Sequence, residues 1–148
     1  MTEATRYVRV DFFHFKAFKN FRLQLRHFNI LVGPNNAGKS TILAAFRILA
    51  AAMRRAEHRK AEIVSGPSGQ THGYPVDISS ISIGEENLFF DYDDSEPATV
   101  RFKLSNDNEL LLYFPEKGSC ILFADADGKT NHTPTSFKKA FNCRRGAE

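Results

Sequence analysis

Residues 33–41 read GPNNAGKST, and this stretch decides how the surrounding chain is expected to fold. Gly33, Gly38, Lys39 and Ser40 match the pattern G-x-x-x-x-G-K-[ST] at every fixed position. In that pattern a glycine-rich turn joins a strand to a helix, and backbone amides at the start of the helix surround a phosphate group. The sequence therefore predicts a phosphate-binding loop for a nucleoside triphosphate.

Each position of the loop has an expected role. Glycine at its two ends takes backbone angles closed to other residues and lets the chain wrap around phosphate. Lys39 is the expected catalytic residue, with its ammonium against the β- and γ-phosphates. The Ser40 hydroxyl offers a hard oxygen ligand for Mg²⁺, and Thr41 is expected at the α-phosphate. Asn36 is preferred over Asn35 for a side-chain contact. The expected nucleotide contacts are Gly33, Pro34, Asn35, Asn36, Ala37, Gly38, Lys39, Ser40 and Thr41.

The segments on either side of the loop have the patterns that such a motif requires. The apolar run at residues 28–32 predicts a central strand that is covered on both faces. Residues 41–60 are predicted to be helical, because apolar side chains recur there at three- and four-residue spacings; they are Ile42, Leu43, Phe46, Leu49 and Met53. Four cations close this helix, Arg54, Arg55, Arg59 and Lys60. They indicate either a solvated helix end that complements the macrodipole or a patch for the DNA backbone.

The rest of the chain shows mainly the two-residue period of β-strands. Residues 7–25 predict two strands with a turn at 19–20, and residues 65–75 predict an irregular loop rich in Gly, Pro and Ser. Further strands are predicted at 80–83, 100–104, 110–114 and 120–124. Their short connections favour antiparallel pairing, because a parallel crossover needs a dozen or more residues. The predicted fold class is α/β, a P-loop NTPase core with an antiparallel β-meander.

We interpret residues 1–148 as one domain. Its expected parts are strands, P-loop and helix at 1–60, a flexible loop at 61–78, an antiparallel β-subdomain at 79–130 and a tail at 131–148.

Composition narrows the possible functions. The net charge of +3 and the pI of about 9.0 permit contact with DNA without requiring it. Cys120 and Cys143 form no disulfide framework and no metal-ligand spacing, which favours a reduced, cytoplasmic location. The five histidines also lack ligand spacing, so no metal beyond Mg²⁺ is expected. No apolar stretch reaches the roughly 20 residues that a membrane span needs.

Residues 12–49, FFHFKAFKNFRLQLRHFNILVGPNNAGKSTILAAFRIL, resemble the N-terminal lobe of ABC-type chromosome and repair ATPases. That group includes the structural-maintenance-of-chromosomes, RecF-type and overcoming-lysogenization-defect (OLD) nuclease proteins. The loop wording is most similar to AAA-type ATPases of the OLD group, which belong to DNA-processing or phage-defence systems. The resemblance implies ATP with Mg²⁺ as cofactors. It also implies that Lys16 is a basic residue near the nucleotide. The alternative interpretation is that Lys16 is an exposed charge on an edge strand.

Other elements of that family are missing from the pattern. No LSGGQ-like signature is present, and the best Walker B candidate is CILFAD at residues 120–125. Ala126 stands where the catalytic glutamate is expected, and residues 125–128 also suit a hairpin turn. The chain thus resembles one lobe of a larger ATPase, as a fragment, a truncated product or a split subunit. The expected partner is a second copy in a homodimer, or an ATPase or nuclease subunit.

Three alternative functions remain open. The first is a nucleotide-dependent assembly module without turnover. The second is a GTPase, since residues 125–128 match D-x-x-G, although no N-K-x-D motif reads guanine. The third is a small P-loop kinase, for which the lid helices are lacking.

Overall fold

A computed structural model describes residues 5–25, 36–81 and 88–141. Within these ranges eight strands form one sheet. In chain order they are β1 (Tyr7–Phe15), β2 (Phe18–Gln24), β3 (Glu62–Gly66), β4 (Gly69–Pro75), β5 (Ala98–Leu104), β6 (Glu109–Phe114), β7 (Ile121–Ala126) and β8 (Lys129–Thr130). Their order in the sheet is β2-β1-β5-β6-β7-β4-β3, and β8 pairs with β7. Every pairing between these strands is antiparallel. The predicted central strand at 28–32 and the first three residues of the motif lie outside the described residues.

The predicted strand pair near the N-terminus is present, but its turn was predicted in the wrong place. β1 (Tyr7–Phe15) and β2 (Phe18–Gln24) pair through Phe15 and Phe18, so the turn lies at 16–17 and not at 19–20. The Lys16 amide donates to the Leu88 carbonyl at 2.8 Å. Partners from elsewhere in the fold hold the turn, and local alternation could not reveal them.

The predicted antiparallel meander is confirmed. β5 (Ala98–Leu104), β6 (Glu109–Phe114) and β7 (Ile121–Ala126) pair in succession. β5 also pairs with β1, which makes the meander continuous with the N-terminal strands. The strand predicted at 80–83 is different: Ile78–Ser80 form a 3₁₀ turn, and residues 82–87 lie outside the described chain. A second 3₁₀ turn covers Phe90–Tyr92.

The predicted irregular loop at 65–75 was wrong. Residues there form a hairpin of β3 (Glu62–Gly66) and β4 (Gly69–Pro75), and β4 joins the sheet beside β7. Gly69 has a φ of 115°, which suits glycine in the tight turn. Tertiary pairing and the burial of Tyr74 therefore override the weak strand propensity of a Gly-rich segment.

Gly73 gives this hairpin a testable packing constraint. A Cβ at Gly73 would lie 2.8 Å from Ile121 Cγ2, Phe123 Cε1 and Val64 Cγ2. Ile121 and Val64 are β-branched, and their stiff side chains cannot easily move away from the added methyl group. We expect Gly73→Ala to lower the free energy of unfolding by about 1–3 kcal/mol in urea denaturation. An unchanged urea midpoint would contradict this packing, and Gly73→Ala combined with Val64→Ala should recover part of the loss.

The helix that follows the loop is confirmed, with shifted bounds. α1 (Asn36–His58) begins inside the motif and ends two residues before Lys60. It contributes six residues to the buried core, Ile42, Ala45, Ile48, Leu49, Ala52 and Ala56. Leu43, one of the apolar residues whose spacing predicted the helix, is 51% exposed. No helix in the described ranges is long and apolar enough to cross a bilayer.

The end of the described chain also contains regular structure. α2 (Pro134–Ala140) occupies part of the segment predicted to be a tail, and Thr133 caps its start through the Ser136 amide. Phe137 is fully buried and packs edge-on against the Tyr74 ring, with the two ring centres 5.8 Å apart. The two-residue strand β8 (Lys129–Thr130) precedes it. One buried core thus contains residues from the sheet, α1 and α2.

Candidate nucleotide-binding site

The second half of the motif forms the start of α1. The helix begins at Asn36, so Gly38, Lys39 and Ser40 lie in its first turns. The first four amides of a helix have no acceptor inside it, and the macrodipole makes this end positive. The first turn carries no acidic side chain that would oppose an anion. This arrangement suits a phosphate.

The exposed fractions of the side chains suit the chemistry that the motif predicts. Lys39 is half-buried and Ser40 is exposed. An ammonium and a hydroxyl at the N-terminus of a helix fit a nucleotide with Mg²⁺. The ammonium neutralises phosphate charge, and the hydroxyl oxygen is a hard ligand for the metal.

Thr41 lies deeper than its neighbours. It is 1% exposed, and its Oγ1 accepts a hydrogen bond from the Ala17 amide at 3.4 Å. The side chain therefore ties the turn between β1 and β2 to the first turns of α1. The expected contact of Thr41 with an α-phosphate stays a prediction.

Gly38 serves a different purpose from the one predicted. Its backbone belongs to α1 and its φ is not positive, so the expectation of backbone angles closed to other residues was wrong at this position. A Cβ at Gly38 would lie 3.7 Å from Phe18 Cζ, an ordinary contact. The described protein atoms thus leave room for a methyl group. The expected contact of Gly38 with a nucleotide stays a prediction.

Lys16 occupies the turn that Thr41 anchors. It is half-buried, has a φ of 48° and precedes Ala17 directly. The structure thus brings the Lys16 backbone near the start of α1, although these positions are more than twenty residues apart in sequence. The contacts of Ala17 and Phe18 with the motif were not predicted. The only sequence signal was the aromatic spacing of FKAF at residues 15–18.

Part of the predicted site cannot be placed. Gly33, Pro34 and Asn35 lie outside the described residues, and only the backbones of Asn36 and Ala37 are described. Their nucleotide contacts remain predictions.

The Walker B candidate is a hairpin. β7 passes into β8 with Asp125 paired to Thr130 and Ala126 paired to Lys129. Asp127 and Gly128 form the turn, both with positive φ. Asp125 is exposed on this hairpin. The alternative interpretation of residues 125–128 as a turn is therefore confirmed.

Comparison with known families identifies the chain. The model of the AAA ATPase domain matches residues 14–142. This range includes the whole motif and all strands from β2 to β8. No curated protein matches the sequence significantly. Because the match covers most of the chain and contains the GPNNAGKST motif, the chain belongs to the AAA ATPase domain family.

Proposed function

We propose that the chain binds ATP together with Mg²⁺ at residues 33–41. The observation that carries the proposal is the start of α1 at Asn36, inside the motif, in a member of the AAA ATPase domain family. Lys39 would hold the β- and γ-phosphates, the amides of the first turn would surround them, and Ser40 would ligate the metal. Bound Mg²⁺ would neutralise charge on the phosphates during their transfer.

We further propose that this chain hydrolyses ATP only when a partner completes the site. Transfer of a phosphoryl group to water requires a residue that positions the water. The best sequence candidate, Asp125, lies in an exposed hairpin. A second protomer or another ATPase subunit would supply this residue. The function next in support is ATP-dependent assembly without turnover, in which ATP favours the paired state by its higher affinity for it.

Nucleotide titration and turnover at several protein concentrations test these proposals together. We expect Mg²⁺-dependent binding of ATP by the wild-type chain, and turnover per chain that falls on dilution. Turnover that is unchanged by dilution would contradict the need for a partner. ATP-dependent dimers without any turnover would favour the assembly function. Preference for GTP in competition would favour the GTPase alternative instead.

Lys16 is proposed to approach the bound nucleotide. Its turn is tied to α1 by the bond from the Ala17 amide to Thr41. A partly solvated cation near phosphate contributes about 1 kcal/mol, so we expect Lys16→Ala to raise the Kd for ATP by about five-fold. Calorimetric titration measures this change. Lys19→Ala on exposed β2 is the matched control and should leave the Kd unchanged. Equal Kd values for the two variants would reject this role.

We place this ATPase domain in a DNA-repair, chromosome-maintenance or phage-defence system of the OLD, RecF or structural-maintenance-of-chromosomes type, acting in the cytoplasm. The support is the resemblance of residues 12–49 and the cations that end α1. Arg54, Arg59 and Lys60 are exposed, and Arg55 is half-buried. The helix is about 34 Å long at 1.5 Å per residue, so these cations lie far from the phosphate loop.

DNA contact at this end of α1 has a direct test. Anisotropy of labelled duplex DNA should show weaker binding, and a shallower salt dependence, when Arg54 and Arg59 are replaced by alanine. Unchanged binding would leave the basic end as a solvated helix terminus.

A further inference from the structure

The segment that begins at Leu88 lies beside the end of β1 and is held there by backbone contacts. Phe15 forms a bridge with Phe89, and the Lys16 amide donates to the Leu88 carbonyl at 2.8 Å. His14 Nε2 bonds to the Asp93 carbonyl at 2.5 Å. Asp93 and Glu96 thus lie beside His14.

His14 is oriented as a metal-ligating histidine would be. It is 5% exposed, with the Phe89 and Phe90 rings each centred 6.2 Å from its own. A carbonyl oxygen can only accept, so Nε2 carries a proton and donates to Asp93. The other ring nitrogen, Nδ1, faces Glu96 with its Oε2 at 3.9 Å. Metal-bound histidines are fixed in this way, by a bond from the nitrogen that does not ligate.

The facing segment is densely acidic. Residues 91–96 read DYDDSE, and in the described part of the chain none of its carboxylates forms an ion pair with lysine or arginine. Asp93 Oδ1 accepts hydrogen bonds from the Ser95 hydroxyl and amide, which fix the position of this carboxylate. One carboxylate oxygen of Asp93 lies within 4.8 Å of a His14 ring nitrogen.

We propose that His14, Asp93 and Glu96 form a binding site for a divalent transition-metal ion, best suited to Zn²⁺. One ligand atom from each residue lies within 4.8 Å of the other two. Zinc bonds of about 2.0–2.2 Å in a tetrahedral arrangement place two ligand atoms about 3.4 Å apart. The Glu96 side chain is 56% exposed and can rotate to close the difference. One imidazole with two carboxylates favours Zn²⁺ over Mg²⁺.

Calorimetric titration of the nucleotide-free full chain with Zn²⁺ tests the site. We expect Glu96→Gln and Asp93→Asn each to weaken zinc binding by at least about ten-fold. Asp94→Asn is the matched control: it removes the same charge from the same segment but no proposed ligand, and it should change the affinity by less than about two-fold. Zinc should also shift the His14 Nδ1 resonance in ¹⁵N spectra.

The outcomes separate this site from other zinc-binding groups. Glu96 is largely exposed, so its variant retains the fold even if His14→Gln does not. Zinc binding by Glu96→Gln that equals wild-type binding would overturn the proposal, as would the absence of zinc binding by the wild-type chain. Lys39→Ala should keep full zinc affinity, since the nucleotide loop contributes no ligand.

Discussion

Replacing Lys39 with alanine is expected to raise the Kd for ATP by about 100-fold. A hydrogen bond to a charged group contributes about 1.5–3 kcal/mol, and the upper value corresponds to a change of this size in Kd. Lys39 lies in the first turns of α1, where the helix dipole cannot replace an ammonium group. Calorimetric titration with ATP and Mg²⁺ measures the loss.

The fold should survive this change. Lys39 is half-buried, and alanine has a higher helix propensity than lysine. Circular dichroism should therefore show unchanged helix content and an unchanged melting temperature. Lys19→Ala removes an equal charge from β2 and should bind ATP like the wild type. If Lys39→Ala bound ATP within two-fold of the wild type, the phosphate-binding role of the motif would be rejected.

Replacing Phe102 with alanine is expected to have the largest effect on stability among substitutions outside the nucleotide site. Phe102 is fully buried in β5, and its ring meets Phe46 of α1 at 5.3 Å and Tyr7 of β1 at 5.9 Å, both edge-on. It thus connects the sheet to the helix that carries the motif. Truncation of a buried phenylalanine costs about 3–5 kcal/mol, which urea denaturation should measure as a lower free energy of unfolding.

Phe13 provides the matched control for this substitution. It is also a phenylalanine in the sheet, on β1, but it is 44% exposed. Phe13→Ala leaves a smaller cavity and should cost less than about 1.5 kcal/mol. Similar losses for the two variants would show that Phe102 does not connect the sheet to α1. Because α1 presents Lys39 and Ser40, we also expect Phe102→Ala to weaken ATP binding through loss of folded protein.

The sequence predicted those parts of the fold whose signals are local. The spacing of apolar side chains at 41–60 predicted the helix. Alternation predicted β5, and two apolar runs predicted the strands at 110–114 and 120–124. The turn within residues 125–128 followed from Asp and Gly, which tolerate positive φ, as Asp127 and Gly128 show. The hairpin at Asp125 was one of two predicted alternatives, and pairing with β8 decided between them.

Other features depended on contacts between distant segments. The hairpin of β3 and β4 has weak local propensity, yet Gly73 leaves the space that Ile121 and Phe123 fill. The cluster of His14, Asp93 and Glu96 joins residues about eighty positions apart, so the absence of ligand spacing in the sequence did not exclude a metal site.

The sequence by itself predicted a phosphate-binding loop, because glycine, lysine and serine act through local backbone geometry and their own functional groups. The spacing of apolar side chains predicted the helix that follows it. It also predicted the strands of the meander, β5 through its period of two and β6 and β7 through their apolar runs. Only the tertiary structure decided that Thr41 is tied to the Lys16 turn and that His14 meets the acidic segment. Such contacts arise from the order of strands in the sheet, which burial of the whole core selects and no short pattern encodes.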